Sequence, residues 1–342
     1  MAKRALIISG GGAKGAYAVG ALDHMVNKLR LQFDLVAGTS TGALISPLAL
    51  LGSGPDIQEL ITIYTSVKNS DILKPREIGF DSPLPISFNE TGPLKKLIAR
   101  QITEQRAGDL LDADKRMFLT TVNMQTGKIV YFYTGPEGAV SPQPETELVR
   151  IVSRQMLIEA LLASASIPVF MPPVNIAVNP APPQQYVDGG LRELTPLKIA
   201  IDNGATELYV IMLSPKPQAM SHKFKNFLEV LIQILDLYGR DVMVNDLQLV
   251  EFHNLSAGYI EAVKKRLIEK FGLTGPEIQE LFSVPGTNNP FEGKRPVSIK
   301  IMQPDSGELT GTLEFNPMKM KKIMEMGKQK AVEVLGAFPP TT

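Results

Sequence analysis

The sequence predicts an α/β protein of three layers, in which a mainly parallel central sheet lies between helices. Two patterns near the amino end carry this prediction. An apolar run, Ala5 to Ile8, meets three glycines, after which small and apolar residues recur with helical spacing. A second apolar run, Phe33 to Ala37, ends at Gly38 and is again followed by a helical pattern. Alternating strands and helices imply right-handed crossovers, and therefore a parallel sheet that is covered on both faces.

Further elements are predicted after the first hundred residues. A helical segment is predicted over Leu148 to Ala163, and the proline-rich stretch from Pro172 to Pro183 is expected to be a surface loop. That loop leads to Tyr186-Val187-Asp188-Gly189-Gly190. Additional strands are predicted over Met117 to Asn123, Lys128 to Tyr133 and Leu208 to Leu213.

The character of the sequence changes after Leu213, where prolines interrupt the chain. Two separate helical patterns, Phe224 to Tyr238 and Ala257 to Phe271, predict a cap or a lateral extension. The segment from Thr274 to Pro296 contains glycines and prolines with little periodicity, which is typical of a loop. A last amphipathic helix with a solvated lysine-rich face is predicted over Pro317 to Leu335.

Composition excludes several classes of protein. Lys+Arg and Asp+Glu both number 35, and a net charge of zero argues against nucleic-acid binding through a dominant basic field. The chain has no cysteine and three histidines, so we expect neither disulfides nor a metal site. No signal-peptide core and no uninterrupted apolar stretch of about 18 residues is present. The sequence therefore predicts a cytoplasmic protein or one at the membrane periphery.

Ser40 is the candidate nucleophile. It lies at the centre of Gly38-Thr39-Ser40-Thr41-Gly42, which fits the G-x-S-x-G pattern of a serine at a sharp strand-to-helix turn. Glycines two positions before and after the serine avoid collisions with neighbouring backbone in that turn. A tight turn with a capping serine gives the same pattern. The apolar strand before the serine and the helical run after it favour catalysis.

A serine hydroxyl needs a base, and none of the histidines is well placed to provide one. His24 lies off the apolar stripe of the first helix, whereas His222 and His253 lie in the helical extension. A carboxylate can serve instead if it reaches the hydroxyl. Asp188 follows an apolar pair and precedes Gly189-Gly190, so it is expected at a strand end where the backbone turns freely. A simple Asp-Gly turn is the alternative interpretation.

The glycine loop Gly10-Gly11-Gly12-Ala13-Lys14-Gly15 has two interpretations. Backbone N–H groups of Gly10, Gly11, Gly12 and Ala13, close to a helix N-terminus, would form an oxyanion hole. The same six residues also fit G-x-G-x-x-G, and Asp34 follows at about the distance of a ribose-binding acid. Asp34, however, lies near the start of the second strand, and Ser40 occupies the end where a ribose-binding acid belongs. A nucleotide-binding module thus remains an alternative.

These motifs together resemble the patatin-like phospholipase family, and they occur in the family's order. The family's glycine loop matches Gly10 to Gly15, its serine elbow matches Gly38 to Gly42, and its Asp-Gly-Gly element matches Asp188 to Gly190. The stretch from Ala163 to Phe170 is also similar. Lys14 departs from the family's usual Arg, which changes the geometry of any contact this side chain makes.

The resemblance covers roughly the first 215 residues and implies a Ser-Asp dyad that cleaves lipid acyl esters. It implies that residues 1–215 form a catalytic domain. We expect residues 216–342 to form a mostly helical extension that packs on this domain. Phospholipid or another acyl lipid is the implied substrate, and no cofactor is expected. An acyltransferase with the same dyad is an alternative. Contact with a membrane surface and control by a protein activator that unmasks the site are further hypotheses.

Overall fold

The computed structural model describes residues 3–77, 85–137, 145–178, 182–216, 223–225, 227–287, 295–305, 309 and 312–337. Within these ranges the strands are β1 (Arg4–Ile8), β2 (Leu35–Thr39), β3 (Lys74–Pro75), β4 (Asn89–Glu90), β5 (Arg116–Asn123), β6 (Ile129–Thr134), β7 (Thr146–Arg150), β8 (Val174–Ile176), β9 (Gln184–Asp188), β10 (Glu207–Ile211) and β11 (Ser298–Met302).

The described helices lie mostly between these strands. They are α1 (Gly15–Leu22), α2 (Thr41–Leu51), α3 (Gly54–Ser66), α4 (Asn69–Ile72), α5 (Gly92–Gln101), α6 (Glu104–Leu111), α7 (Arg154–Ser164), α8 (Leu197–Asp202), α9 (Phe227–Phe271), α10 (Gly275–Phe282) and α11 (Pro317–Leu335). Short 3₁₀ turns cover Gly12–Lys14 and Gly189–Leu191, and a π-helical turn, Asp23–Lys28, continues α1.

The central sheet is mainly parallel, which confirms the predicted fold class. Its main path runs in the order β11-β10-β1-β2-β5-β6-β7, and β9 and β8 attach beside β5. The pairs from β11 to β5 are all parallel. β6 and β9 both pair antiparallel with β5. The sheet therefore departs from a fully parallel arrangement only around β5, β6, β8 and β9.

Two apolar cores lie on opposite faces of the sheet. Alternate residues of β1 point to opposite faces, so Leu6 and Ile8 join one core whereas Ala5 and Ile7 join the other. The first core is built with the helices from α1 to α3, α5 to α7 and α11. The second is covered by α8 and by one face of α9. These two covered faces give the three layers that the sequence predicts.

Helix α9 is longer than predicted. The two patterns expected as separate helices form one helix of 45 residues. Met243, Val250 and Ala257 are buried at intervals of seven residues across the stretch between the two patterns. Because this spacing keeps them on one face, the amphipathic pattern continues through the polar residues that surround them.

Three local predictions are corrected by the structure. The first part of the segment predicted as helical, Leu148 to Ala163, is β7, which pairs with β6, and α7 begins only after the N-cap Ser153. Part of the stretch expected as a loop after Thr274 is α10, and Thr274 and Glu277 form a capping box at its start. The proline-rich stretch from Pro172 contains β8, and its residues 179–181 lie outside the described ranges.

The chain after residue 216 is mostly helical, and it also contributes a strand to the central sheet. β11 pairs in parallel with β10. The predicted helix Pro317–Leu335 is present with those bounds, and Lys328 on it donates to Asp23 at 2.8 Å. The division at residue 215 stays a prediction. No helix in the described ranges combines the length and the apolar character that crossing a membrane requires.

Candidate active site

The glycine loop and Ser40 lie at the same edge of the sheet. β1 and β2 are parallel neighbours, and Ile8 pairs with Gly38. The glycine loop follows the carboxyl end of β1, and Ser40 directly follows β2. Because the carboxyl ends of parallel strands meet at one edge, the two motifs face each other there. Asp34 lies before the amino end of β2, where it accepts a hydrogen bond from Arg4 N at 2.8 Å.

Ser40 has the strained backbone expected of a strand-to-helix elbow. Its φ is 58° and its ψ is −125°, a combination that residues other than glycine seldom adopt. Gly42 starts the helix so close to β1 that a Cβ atom there would lie 2.1 Å from Ile8 O. Leu44 N donates to Ser40 O at 3.2 Å. The elbow is therefore held by the close packing of α2 on β1.

Ser164 fixes the nucleophile from the side of α7. Its hydroxyl accepts a hydrogen bond from Ser40 N at 3.0 Å and donates one to Thr120 O at 2.7 Å. Ser164 thus connects the strained residue to β5. In the sequence, Ser164 belongs to the stretch from Ala163 to Phe170 that resembles the family. Nothing in that stretch indicates the two hydrogen bonds that Ser164 forms.

The register of the sheet brings Asp188 to Ser40. Thr39 pairs with Thr120 on β5, and the next residue of β5, Thr121, pairs with Asp188 at the end of β9. Asp188 N donates to Ser166 O at 3.0 Å. Residues that are 148 positions apart in the sequence are thus brought together because β9 runs antiparallel to β5.

The Asp188 carboxylate is buried, and its hydrogen bonds offset only part of the cost of burying its charge. Its side chain faces the Ser40 hydroxyl and accepts a hydrogen bond from Gly190 N at 2.8 Å. Burial raises the pKa of Asp188 to about 6, although the bonds from Gly190 and Ser40 act in the opposite direction. Ser40 and Asp188 are respectively 6 % and 5 % exposed. A carboxylate with a pKa of about 6 is a stronger proton acceptor than an ordinary aspartate and is still ionised at neutral pH.

Two of the four predicted oxyanion-hole amides already have acceptors. Gly10 N donates to Leu194 O at 3.2 Å, and Ala13 N donates to Thr312 O at 2.9 Å. In the described residues, the N–H groups of Gly11 and Gly12 have no acceptor. Gly11 and Gly12 are therefore the two residues of the predicted set whose N–H groups are free to donate to a ligand, and their role in an oxyanion hole stays a prediction.

Position 12 requires a glycine, because the backbone conformation and the neighbouring atoms leave no room for a side chain. Its φ of +57° lies in the left-handed region, and a Cβ atom there would lie 2.0 Å from Thr312 O. Lys14 and Gly15 follow at the start of α1, and Lys14 is buried. A segment from the carboxyl-terminal part of the chain therefore packs directly on the glycine loop.

The two histidines in the described residues, His24 and His253, bond to groups away from Ser40. His24 is buried, and its Nε2 atom forms a 2.7 Å hydrogen bond with Gly336 O, near the end of α11. His253 on α9 interacts with Arg295 O at 3.0 Å. His222 lies outside the described residues. Neither described histidine therefore offers a base to Ser40.

Two clefts meet at Ser40. The first cleft runs between α2, α3, α5 and α7, and its wall is almost entirely apolar. Leu44, Leu48, Leu60, Ile98 and Leu161 are among its lining residues. The second cleft contains Ser40 and Asp188 together with the side chains of Lys14, Asp236 and Tyr238. Asp236 and Tyr238 belong to α9, so this helix lines part of the second cleft.

Residues 193–195 connect α9 to the elements that carry the candidate site. Asp246 on α9 accepts hydrogen bonds from Leu194 N at 3.1 Å and Thr195 N at 2.8 Å. Leu194 O in turn accepts the bond from Gly10 N, and Glu193 O accepts one from Thr39 Oγ1 at 3.1 Å. Glu193 and Asp246 were not identified from the sequence, because neither belongs to a motif.

Comparison with known proteins shows which family the chain belongs to. The family model for "Patatin-like phospholipase" matches residues 6–201, more than half of the chain. The chain belongs to the patatin-like phospholipase family. The matched region contains the glycine loop, Ser40 and Asp188, whereas α9 and Asp246 lie beyond it.

Several curated relatives share part of this region. A cGAMP-activated phospholipase of Escherichia coli (strain TW11681) is 27% identical over 184 residues, which cover 50% of this chain and 48% of that protein. A cUMP-AMP-activated phospholipase of Escherichia coli is 42% identical over 66 residues, or 18% of this chain and 20% of that protein. A probable inactive patatin-like protein 9 of Arabidopsis thaliana is 23% identical over 249 residues, covering 64% and 62% of the two chains. The chain thus spans about half the length of the first relative and a fifth of the second.

Proposed function

We propose that the protein is a lipid acyl hydrolase of the phospholipase A or lysophospholipase type, with Ser40 and Asp188 as a catalytic dyad. The observation that carries this proposal is the position of Ser40, which lines both an apolar cleft and a more polar cleft, with Asp188 beside it in the second. An ester bond at Ser40 would have its acyl chain in the first cleft and its alcohol in the second. A lipid ester has this division into one apolar and one polar part.

In the proposed first half of the reaction, Asp188 accepts the proton of the Ser40 hydroxyl while Oγ attacks the acyl carbonyl carbon. The N–H groups of Gly11 and Gly12 donate to the oxyanion that forms. The bond between the carbonyl carbon and the alcohol oxygen then breaks, and Asp188 returns the proton to that oxygen. The alcohol leaves, and the acyl group remains as an ester on Ser40.

In the second half, a water molecule attacks the acyl carbonyl carbon while Asp188 accepts one of its protons. The bond to Ser40 Oγ breaks, the fatty acid leaves, and the proton passes from Asp188 to Ser40. An acyltransferase differs only in this half, because an alcohol takes the place of water. Both reactions need the same residues, so the products must distinguish them.

Contact with a membrane surface belongs to the same proposal. Ile234, Leu237 and Tyr238 on α9 are each about half exposed, and Tyr238 also lines the second cleft. An exposed apolar surface that continues into the cleft would bring a lipid from a bilayer to Ser40. A requirement for an activator is supported only by the relatives, two of which are described as activated by cyclic nucleotides.

A fluorophosphonate probe combined with product analysis tests the proposed function. We expect the probe to label the peptide that contains Ser40, and phospholipid vesicles to release free fatty acid and lysolipid. The reaction is run with and without a cyclic dinucleotide, which reveals any need for an activator. A parallel reaction contains an added lysolipid as acyl acceptor. Formation of diacyl product in place of fatty acid would identify an acyltransferase, and absence of label on Ser40 in every condition would refute the proposal.

A further inference from the structure

The second cleft carries one cation and one anion besides the catalytic carboxylate. Lys14 projects from the glycine loop, and Asp236 lies on α9. We propose that this cleft binds a zwitterionic head group, with the phosphate at Lys14 and a free ammonium group at Asp236. The inference rests on the proposed function, because it identifies the alcohol part of the ester that Ser40 cleaves. It predicts phosphoethanolamine lipids as the preferred substrates.

Lys14 is a buried cation that has no direct partner among the residues that the structure describes. Its side chain is 7 % exposed, and in the described residues its Nζ atom forms neither a hydrogen bond nor an ion pair. Burial lowers the pKa of Lys14, Asp236 raises it, and Arg240, one turn further along α9, lowers it. A buried charge without a hydrogen-bonding partner is unfavourable. An incoming phosphate would supply the missing acceptor and place a negative charge beside Lys14.

Asp236 is available to a second charged group. Its Oδ1 atom accepts a hydrogen bond from Thr312 Oγ1 at 3.3 Å, and in the described residues Oδ2 accepts none. A primary ammonium group offers three donors to a carboxylate, whereas the quaternary ammonium of choline offers none. A phosphoglycerol head group would place a neutral diol at the Asp236 carboxylate. Of these three head groups, phosphoethanolamine alone satisfies both charges with hydrogen bonds.

Competition between head groups tests this inference. Vesicles contain equimolar phosphatidylethanolamine, phosphatidylglycerol and phosphatidylcholine with identical acyl chains, and mass spectrometry measures the initial rate of each lysolipid. We expect the wild-type protein to favour phosphatidylethanolamine. The D236N variant is expected to lower the ratio of phosphatidylethanolamine to phosphatidylglycerol cleavage about tenfold, because it keeps the shape of the side chain and removes its charge. D241N is the matched control, since Asp241 is exposed on the same helix.

Hydrolysis of p-nitrophenyl butyrate on the same preparations separates this inference from the proposed function. This ester has no lipid head group, so its rate reports on the dyad alone. K14Q is expected to slow the cleavage of all three phospholipids relative to that of this ester. The head-group assignment alone would be overturned if D236N still cleaved p-nitrophenyl butyrate and its ratio of phosphatidylethanolamine to phosphatidylglycerol cleavage stayed within twofold of the wild-type ratio. A wild-type protein that cleaves none of these esters, with or without a cyclic dinucleotide, would instead contradict the proposed function.

Discussion

Replacement of Ser40 by alanine is expected to lower kcat on any ester substrate by roughly 10⁴- to 10⁶-fold, because the variant cannot form the acyl intermediate. Replacement of Asp188 by asparagine is expected to lower kcat by roughly 10²- to 10⁴-fold. The amide keeps the size of the side chain and its bond from Gly190 N, but it cannot accept a proton from Ser40. Initial rates on p-nitrophenyl butyrate and on phospholipid vesicles measure both effects.

The histidines provide the control for the dyad. A variant that combines H24Q, H222A and H253A is expected to retain activity, because both described histidines bond to distant backbone carbonyls. Glutamine at position 24 preserves a polar group towards Gly336 O. Loss of activity in the histidine variant, with its melting temperature unchanged, would contradict a dyad that works without histidine.

The pH dependence of kcat/KM provides a second measurement of the dyad. Burial raises the pKa of Asp188 to about 6, and the base must be ionised to accept the proton of Ser40. The part of the activity that depends on the ionised Asp188 is therefore expected to decline as pH falls through about 6. A profile that stays flat down to pH 4 would exclude Asp188 as the base.

The sequence identified the catalytic candidates because each lies in a short motif with a local physical cause. Ser40 follows an apolar strand and lies between glycines that permit a tight turn, and Asp188 comes directly before two glycines. Their proximity depends on β9 pairing with β5, which joins residues far apart in the chain. Local patterns predict the elements and their order, but the register between distant strands is decided by tertiary packing.

Other parts of the site could not be predicted from local patterns. The hydrogen bond between Ala13 N and Thr312 O joins the glycine loop to a segment about 300 residues away, in which no pattern indicates such a contact. The continuity of α9 was missed because polar residues separate its two apolar patterns. The start of α10, however, could have been predicted, since Thr274 and Glu277 have the spacing of a capping box.

After loss of Ser40 or Asp188, loss of the Asp246 carboxylate is expected to have the largest effect on activity, although this residue lies outside the two clefts described above. Asp246 holds the backbone of Leu194 and Thr195, and the same segment bonds to Gly10 and, through Glu193 O, to Thr39. D246A would leave two largely buried N–H groups without an acceptor, which costs roughly 1–3 kcal/mol of stability for each. The glycine loop would lose its support from α9.

We expect D246A to lower kcat by roughly 10- to 100-fold, with a smaller change in KM, because displacement of Gly10 would shift the neighbouring oxyanion-hole amides. D246N should restore most of the activity, since its amide oxygen accepts the same two bonds. The exposed Asp241 provides a control, D241A, that is expected to change neither rate nor stability. Equal losses of activity in D246A and D246N would show that the charge matters, rather than the two hydrogen bonds.

The pH dependence of activity tests whether the ionisation of Asp246 matters. If Asp246 were only a structural residue, its ionisation would not change that pH dependence. Burial raises the pKa of Asp246 to about 7 despite the bonds from Thr195 N and Leu194 N, and that of neighbouring Glu193 to about 8. Tyr131, Lys198 and Asp202 also surround Glu193, so this group of residues is coupled electrostatically. As pH falls through 7, Asp246 gains a proton and becomes a weaker acceptor, which loosens its hold on Leu194 and Thr195. In D246N this contribution should vanish, leaving an acid limb near pH 6 from Asp188 alone, whereas an unchanged profile would show that the carboxylate does not influence the catalytic elements.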